Sequence, residues 1–400
     1  MSRARERFAD WTVVEIANGF GPAMLAAKLL ADLGCTVIKL EDRAGDPLRQ
    51  RKARGGLALF ELLNASKESV RADFSHQRIG EVLDVLLGTA GIVVADGEGM
   101  DALDRWVPDI TERFPQLTVA ACTPFGLRGT YAKWTAGEEG VQAMAGIMST
   151  THHPGGRPVR VTGAIATHTS AMHAVTSILA DVHAKRASGR GGRLDIATFD
   201  AAVTMLTAAF PAYFLSGRSP PGIGNRHSMA APWNTYRCAN GWTVICAGNE
   251  PTWQRLIVAI GREALASDPR YATQQARVAN VEALDAEVEA WTSARSVADV
   301  ERVLDANGIP SGPILPLRDV VAHPQFEARQ LIAKGCGTAI CGGVFHRDRE
   351  ALDVRAGRHL LGAANRSALV DRAGAEMAHY EGWVREHVIV PSEERHVAAA

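Results

Sequence analysis

Along the first third of the chain, short runs of β-branched residues take turns with longer stretches in which apolar positions recur every three or four residues. TVVEIA (Thr12 to Ala17) is the first such run. NGFGP breaks it, with Pro22 preset for a first helical turn, and AMLAAKLLADLG then puts Met24, Leu25, Leu29, Leu30 and Leu33 on one helical face closed by Gly34. TVIKLE (Thr36 to Glu41) is the next strand. The alternation continues through ESVRADF, a helix from about Gln77 to Leu87, GIVVAD, a helix around Asp101 to Arg113, and LTVAAC. Strands separated by crossover helices predict a doubly wound, Rossmann-like parallel α/β layer with helices on both faces.

From Gly137 to Lys185 the pattern is helical, interrupted by the polar turn HHPGGRPVRV, and SGRGGRLDIATFDAAV adds a further strand and helix start. After the loop SGRSPPGIGNRH the character changes. PWNTYRCANGWTVICAG reads as two strands joined at Asn240-Gly241, a strong hairpin signal, and helical periodicity runs from Thr252 to about Leu304 before NGIPSGPI. The expected organisation is a large α/β domain over residues 1–231, a smaller α/β domain over 232–316, and a return to the large domain over 317–400. The closing VIVPSEERHVAAA reads as a frayed tail.

Composition narrows the class. Four hundred residues exceed one ordinary core, and a formal charge of -1 offers no field for nucleic acid or an anionic membrane. No apolar run is long enough to span a bilayer, so the expectation is a soluble, cytoplasmic protein. The six cysteines are scattered, as reduced thiols would be. Cys336 and Cys341, the one close pair, fit no zinc pattern. His76, His152, His153, His183, His323 and His346 have no companions at metal-ligand spacing and read as surface or satisfied residues. A parallel layer suggests a site at the carboxyl ends of its strands, yet the first turn is NGFGPAM rather than GxGxxG and no phosphate-cradling P-loop occurs. That argues against a nicotinamide dehydrogenase.

Eight segments, in order, carry a resemblance: GPAMLAAKLLADLGCTVIKLEDRAGDPLR, LLNASKESVRADF, CTPFGLRGTYAKW, GVQAMAGIMSTT, SGRGGRLDIATFDAAV, PWNTYRCANGWTVICAGNEPTWQRL, DPRYAT and NGIPSGPI. Together they resemble the family III CoA-transferases (CaiB/BaiF type), which also include α-methylacyl-CoA racemases. The resemblance implies a large domain from both chain ends, a small domain between them, and two protomers interlocked like links of a chain. It implies coenzyme A thioesters as substrates, no covalent cofactor, and an aspartate that attacks the thioester to give a mixed anhydride.

Matching PVRV (Pro158 to Val161) and the helix after it puts Thr167 in the place of that aspartate, and no acidic residue lies between Glu139 and Asp181. His168 is a candidate base for Thr167. The competing reading makes Thr167, Thr169 or Ser170 the N-cap of the following helix. The racemase branch points to Glu138 or Glu139 as a base, and Glu250 matches an acidic position of that branch. Where many relatives carry Asn-Phe-Arg-Pro-Gly along the CoA cleft this chain reads ADGEGM, so Glu98 brings negative charge where an arginine would pair phosphate. Arg49, Lys67 and Arg128 are the candidate CoA contacts that remain.

Three readings follow from the resemblance. The chain is the accessory subunit of a heteromeric transferase of the succinyl-CoA:benzylsuccinate type, its partner a homologue that keeps the aspartate and holds CoA. Alternatively it is a homodimeric acyl-CoA enzyme of altered chemistry, or a non-catalytic scaffold.

Overall fold

The computed structural model describes residues 8–50, 56–333, 340–341, 344–347, 350–351 and 360–392. The described chain divides into two units, one within Met1–Ile147, Val161–Thr207 and Gln325–Ala400, the other within Met148–Arg160 and Ala208–Pro324.

In the first unit the elements run β1 (Thr12–Ile16), α1 (Pro22–Leu33), β2 (Thr36–Glu41), α2 (Gly56–Asn64), β3 (Lys67–Arg71), α3 (Ile79–Thr89), β4 (Ile92–Ala95), α4 (Gly97–Trp106), α5 (Ile110–Arg113), β5 (Thr118–Thr123) and α6 (Glu138–Met144). After the single turn α7 (Ile147–Thr150), where the chain passes into the second unit, the first unit resumes with the long helix α8 (Ile165–Ser188), β6 (Arg193–Ala197) and α9 (Thr198–Thr204). Six strands pair in the order β3-β2-β1-β4-β5-β6, every neighbour parallel. The order reverses between β1 and β4. In such a sheet the two connections leave on opposite faces there, opening a crevice at the carboxyl ends of those strands.

The central strands present apolar residues to both sides because helices cover both faces. On one side Val14, Ile38, Val70, Val93 and Val119 pack with Val82, Leu83 and Leu86 of α3 and Leu103 of α4. On the other, Val13, Val37, Val94 and Ala120 pack with Met24, Ala27 and Leu30 of α1 and Ala171, Ala174 and Ile178 of α8. The first face is completed from the far end of the sequence. Leu369, Trp383, Val388 and Ile389 are all buried in it. The segment expected to fray is therefore docked at its start: Asp73 N donates to Val388 O and Val390 N to Arg71 O, which extends the edge beside β3. Residues 393–400 lie outside the described residues, as do Cys336 and the side chain of Cys341.

The second unit contains α10 (Ala209–Ser216), the hairpin β7 (Trp233–Cys238) and β8 (Gly241–Cys246), α11 (Glu250–Ala259), α12 (Gln274–Ala279), α13 (Val281–Thr292), α14 (Val297–Ala306) and β9 (Ser311–Pro313), which pairs with β8. Its core is Tyr236, Ile245, Trp253, Leu256, Leu284, Val288, Val300 and Leu304. The hairpin sits one residue earlier than the sequence suggests. Cys238 faces Gly241, so Ala239 and Asn240 make the turn, and Asn240 Oδ1 is engaged by Val297 N at the start of α14. Among the described residues no single helix is long and apolar enough to cross a membrane.

Candidate active site

At the reversal point the chain leaves β1 through Asn18, Gly19 and Phe20 into α1, and leaves β4 through Asp96 into α4. Asp96 caps α4 by accepting from Gly99 N at 2.8 Å, and it also accepts from Asn18 N at 2.8 Å. Gly19 N donates to Asp46 Oδ2 at 3.1 Å. Backbone donors that could cradle a phosphate are thus taken by carboxylates of the chain itself. Burial pushes the Asp96 carboxyl upward; the N–H groups of Asn18 and Gly99 oppose this, and the charge of Glu98 adds to it. Gly99 has to be glycine, since a Cβ there would run into the Ile16 carbonyl. Glu98 is exposed in the first turn of α4, where a negative charge suits the helix dipole.

Helix α8 begins at Ile165, with Ala164 before it at φ 52° and no side-chain cap of its own. Thr167, Thr169 and Ser170 all lie inside the helix rather than at its cap. The expected local cap is replaced by Glu138, from the first turn of α6. Its Oε1 accepts from Ala166 N at 2.9 Å and from Gln142 Nε2 at 2.7 Å, and its Oε2 accepts from Thr167 N at 2.9 Å and Thr167 Oγ1 at 2.7 Å. Gln142, fully buried, closes the frame by pairing with both the N–H and the C=O of Val161. Burial raises the Glu138 carboxyl, but the donors from Gln142, Thr167 and the helix N-terminus outweigh it and hold the group below its ordinary range.

Thr167 and His168 diverge. Thr167 is 5% exposed and turned toward Glu138, whereas His168 is exposed and its Nδ1 lies 2.8 Å from Ala164 O. The ring of Phe20 sits 6.3 Å from that of His168, which brings the loop after β1 beside the head of α8. Glu139 is exposed next to Glu138.

The cationic candidates are placed differently from one another. Lys67 is buried within the sheet, its Nζ bonded to Glu15 Oε2 at 2.7 Å and Met24 O at 2.9 Å. Burial lowers its pKa to about 8; Glu15 resists, and Lys39 adds to the lowering. Lys39 shares Glu15 at 2.9 Å and reaches Asp46 at 3.0 Å. Arg49 grips Glu41 with Nε and Nη2, both at 2.7 Å, and lies over the Phe60 ring. Burial raises the Glu41 carboxyl, and Arg49, with Lys39 and Ser69, more than reverses this. Arg128 is exposed in the loop after β5. In the second unit, Glu250 opens α11, where it accepts from Gln254 Nε2 at 2.7 Å and from the fully buried Arg277 at 3.0 Å.

Sequence reasoning passed over Gln142, Phe20, Asp46 and Asp96. One local signal was available: Glu138 and Gln142 stand four apart on a helix, the spacing at which side chains pair.

The fold and this site define a two-unit α/β protein with a doubly wound sheet and a polar cluster at the head of a long helix. Residues 8–341 match the model of CoA-transferase family III. A succinate–glutarate CoA-transferase of Agrobacterium fabrum is 32% identical over 334 residues, covering 80% of this chain and 82% of that protein. An acetyl-CoA:oxalate CoA-transferase of Acetobacter aceti is 30% identical over 320 residues, covering 78% and 82%. Among solved structures, a CaiB/BaiF family protein from Brucella suis superposes with a TM-score of 0.81 at 30% identity, covering 90% of this chain and 98% of that one. The chain belongs to CoA-transferase family III.

Proposed function

We propose that this chain takes part in moving coenzyme A from an acyl-CoA thioester to a carboxylic acid, as the accessory subunit of a two-chain enzyme. Family membership and the names of its relatives support the reaction class. The observation that carries the accessory role is at the head of α8, where Glu138, the carboxylate beside Thr167, has every acceptor position occupied; the family resemblance matches Thr167 itself to the reacting carboxylate.

The reaction asks for a carboxylate oxygen that adds to the thioester carbonyl, breaking the C–S bond and releasing CoA thiolate. The thiolate then attacks the enzyme's own acyl carbon, frees the donor acid and leaves an enzyme-bound thioester for the acceptor acid to displace through a second anhydride. A threonine cannot do this. Its ester is too stable to return CoA, and the hydroxyl is buried. In this reading an aspartate-bearing homologue holds the nucleophile and CoA. The carboxylates at Asp46 and Asp96 agree with that division, because they occupy the N–H groups of the crevice. Arg49, Lys67 and Arg128 then have no direct CoA role. The small domain over residues 232–316, interlocked with the partner, is what this chain contributes to the shared site, in the cytoplasm.

A second reading rests on the 2.7 Å contact between Thr167 Oγ1 and Glu138 Oε2, a hydroxyl beside a carboxylate base, in a homodimer acting by itself. The two are separated by a transferase assay with succinyl-CoA and a panel of carboxylic acids, on the purified chain alone and co-expressed with an aspartate-bearing homologue. Activity in the mixture alone is the expected result. Turnover by the chain alone would overturn the accessory role and turn attention to Thr167, His168, Glu138 and Glu139.

A further inference from the structure

The second unit holds a cavity of about 630 Å3, within the size range of small-molecule sites, and the transfer reading makes no use of it. Its polar side is built on a buried carboxylate. Asp285 of α13, 7% exposed, accepts from Arg226 Nε at 2.9 Å, Asn234 Nδ2 at 2.9 Å and Tyr236 OH at 2.7 Å. That anchor fixes the guanidinium of Arg226, one of the residues lining the cavity, through its Nε. Besides Asp285, Glu282, which also lines the cavity, stands 3.8 Å from Nη1; with 86% of its side chain in solvent, that contact is worth little.

The other side is apolar. Trp242 and Ile314 line the same cavity, 48% and 50% exposed, and are tied to each other by the bond from Ile314 N to Trp242 O. Ile223 adds to them from the loop that carries Arg226. That loop is braced, because Gly222 and Gly224 press so closely on the rings of His152 and His153 that a Cβ at either would collide. A fixed guanidinium edge beside a half-bare indole and an isoleucine suits one ligand chemistry: a carboxylate, taken in fork geometry by Arg226, on an apolar body that packs against Trp242.

We propose that this cavity binds a monocarboxylic acid with an aryl or medium-length alkyl body. The site stands whether or not the chain is an accessory transferase subunit, since it needs only the second unit. The test is calorimetric titration of the full chain with 3-phenylpropionate, and with 3-phenylpropanamide as its uncharged isostere. Saturable one-to-one binding of the acid is expected, with the amide about tenfold or more weaker because the charged hydrogen bonds are lost. Arg226→Lys should weaken the acid about tenfold, the fork geometry being lost. Arg226 also braces the buried Asp285, so the deciding variant is Trp242→Ala, an exposed side chain, which should likewise weaken the acid about tenfold. No saturation by about 10 mM, equal affinity for acid and amide, or unchanged affinity in Trp242→Ala would each overturn the proposal.

Discussion

A carboxylate offers about four lone-pair positions, and at Glu138 the Gln142 amide, the Thr167 hydroxyl and two N–H groups of α8 take them. A group so held is a poor base and a poor nucleophile, because any proton or acyl group it accepted would displace a bond already made. It is instead a helix cap supplied from elsewhere in the chain. Replacing it tests this directly. Glu138→Gln turns two acceptor positions into donors facing donors, and should lower unfolding stability by about 1–3 kcal/mol in denaturant titrations at neutral pH. The folded state holds the Glu138 pKa below its unfolded value, so the wild type's advantage is full above about pH 4.3 and lost as pH falls through the depressed value. An advantage that persisted at low pH would show that the charge is not what caps the helix. The sequence shows a threonine at position 167 and a glutamate at 138, and nothing local says that they touch. The pair is 29 residues apart, and it meets only because α6 and α8 pack together.

At the level of strands and helices, the parallel sheet was legible because strands buried on both faces must be apolar throughout and the helices between them must carry a stripe. β4 and β5 obey this, and β1 and β2 do so apart from Glu15, Lys39 and Glu41. The charges buried among them were not legible. Glu15 and Lys39 read as ordinary polar residues in short strands and Lys67 as a candidate CoA contact, yet all three are inside, both lysines paired with Glu15. Lys67 should leave a measurable trace. Its pKa falls from the ordinary lysine value to about 8 on folding, so between about pH 8 and 10.4 the unfolded chain binds more protons than the folded one and stability rises with pH. Lys67→Met removes that group. The wild-type unfolding free energy should climb relative to the mutant across that interval, and parallel curves would refute the burial of a charged Lys67.

For the molecule as a whole, the decisive feature is that the first unit closes with residues from the far end of the chain. Leu369, Trp383, Val388 and Ile389 bury against α3 and β3, and Trp383 Nε1 reaches Glu81 at 2.9 Å. A chain stopped before Leu360 would leave that apolar face in water. It should bind a hydrophobic dye strongly and lose its cooperative unfolding transition, at a cost beyond the total stability of an ordinary domain. A truncated chain that unfolds cooperatively at the wild-type midpoint would show that the return is an ornament.

Periodicity settled the alternation of strands and helices, and the order of eight recognisable segments settled the family, because both are properties of neighbouring residues read in sequence. Tertiary structure decided how each charged candidate is engaged: Lys67 and Arg49 are held by Glu15 and Glu41, Asp46 and Asp96 hold the N–H groups of the crevice, and Glu138 holds the head of α8. Which partner a charge meets depends on packing between elements far apart in the chain, and a linear pattern carries no record of that distance.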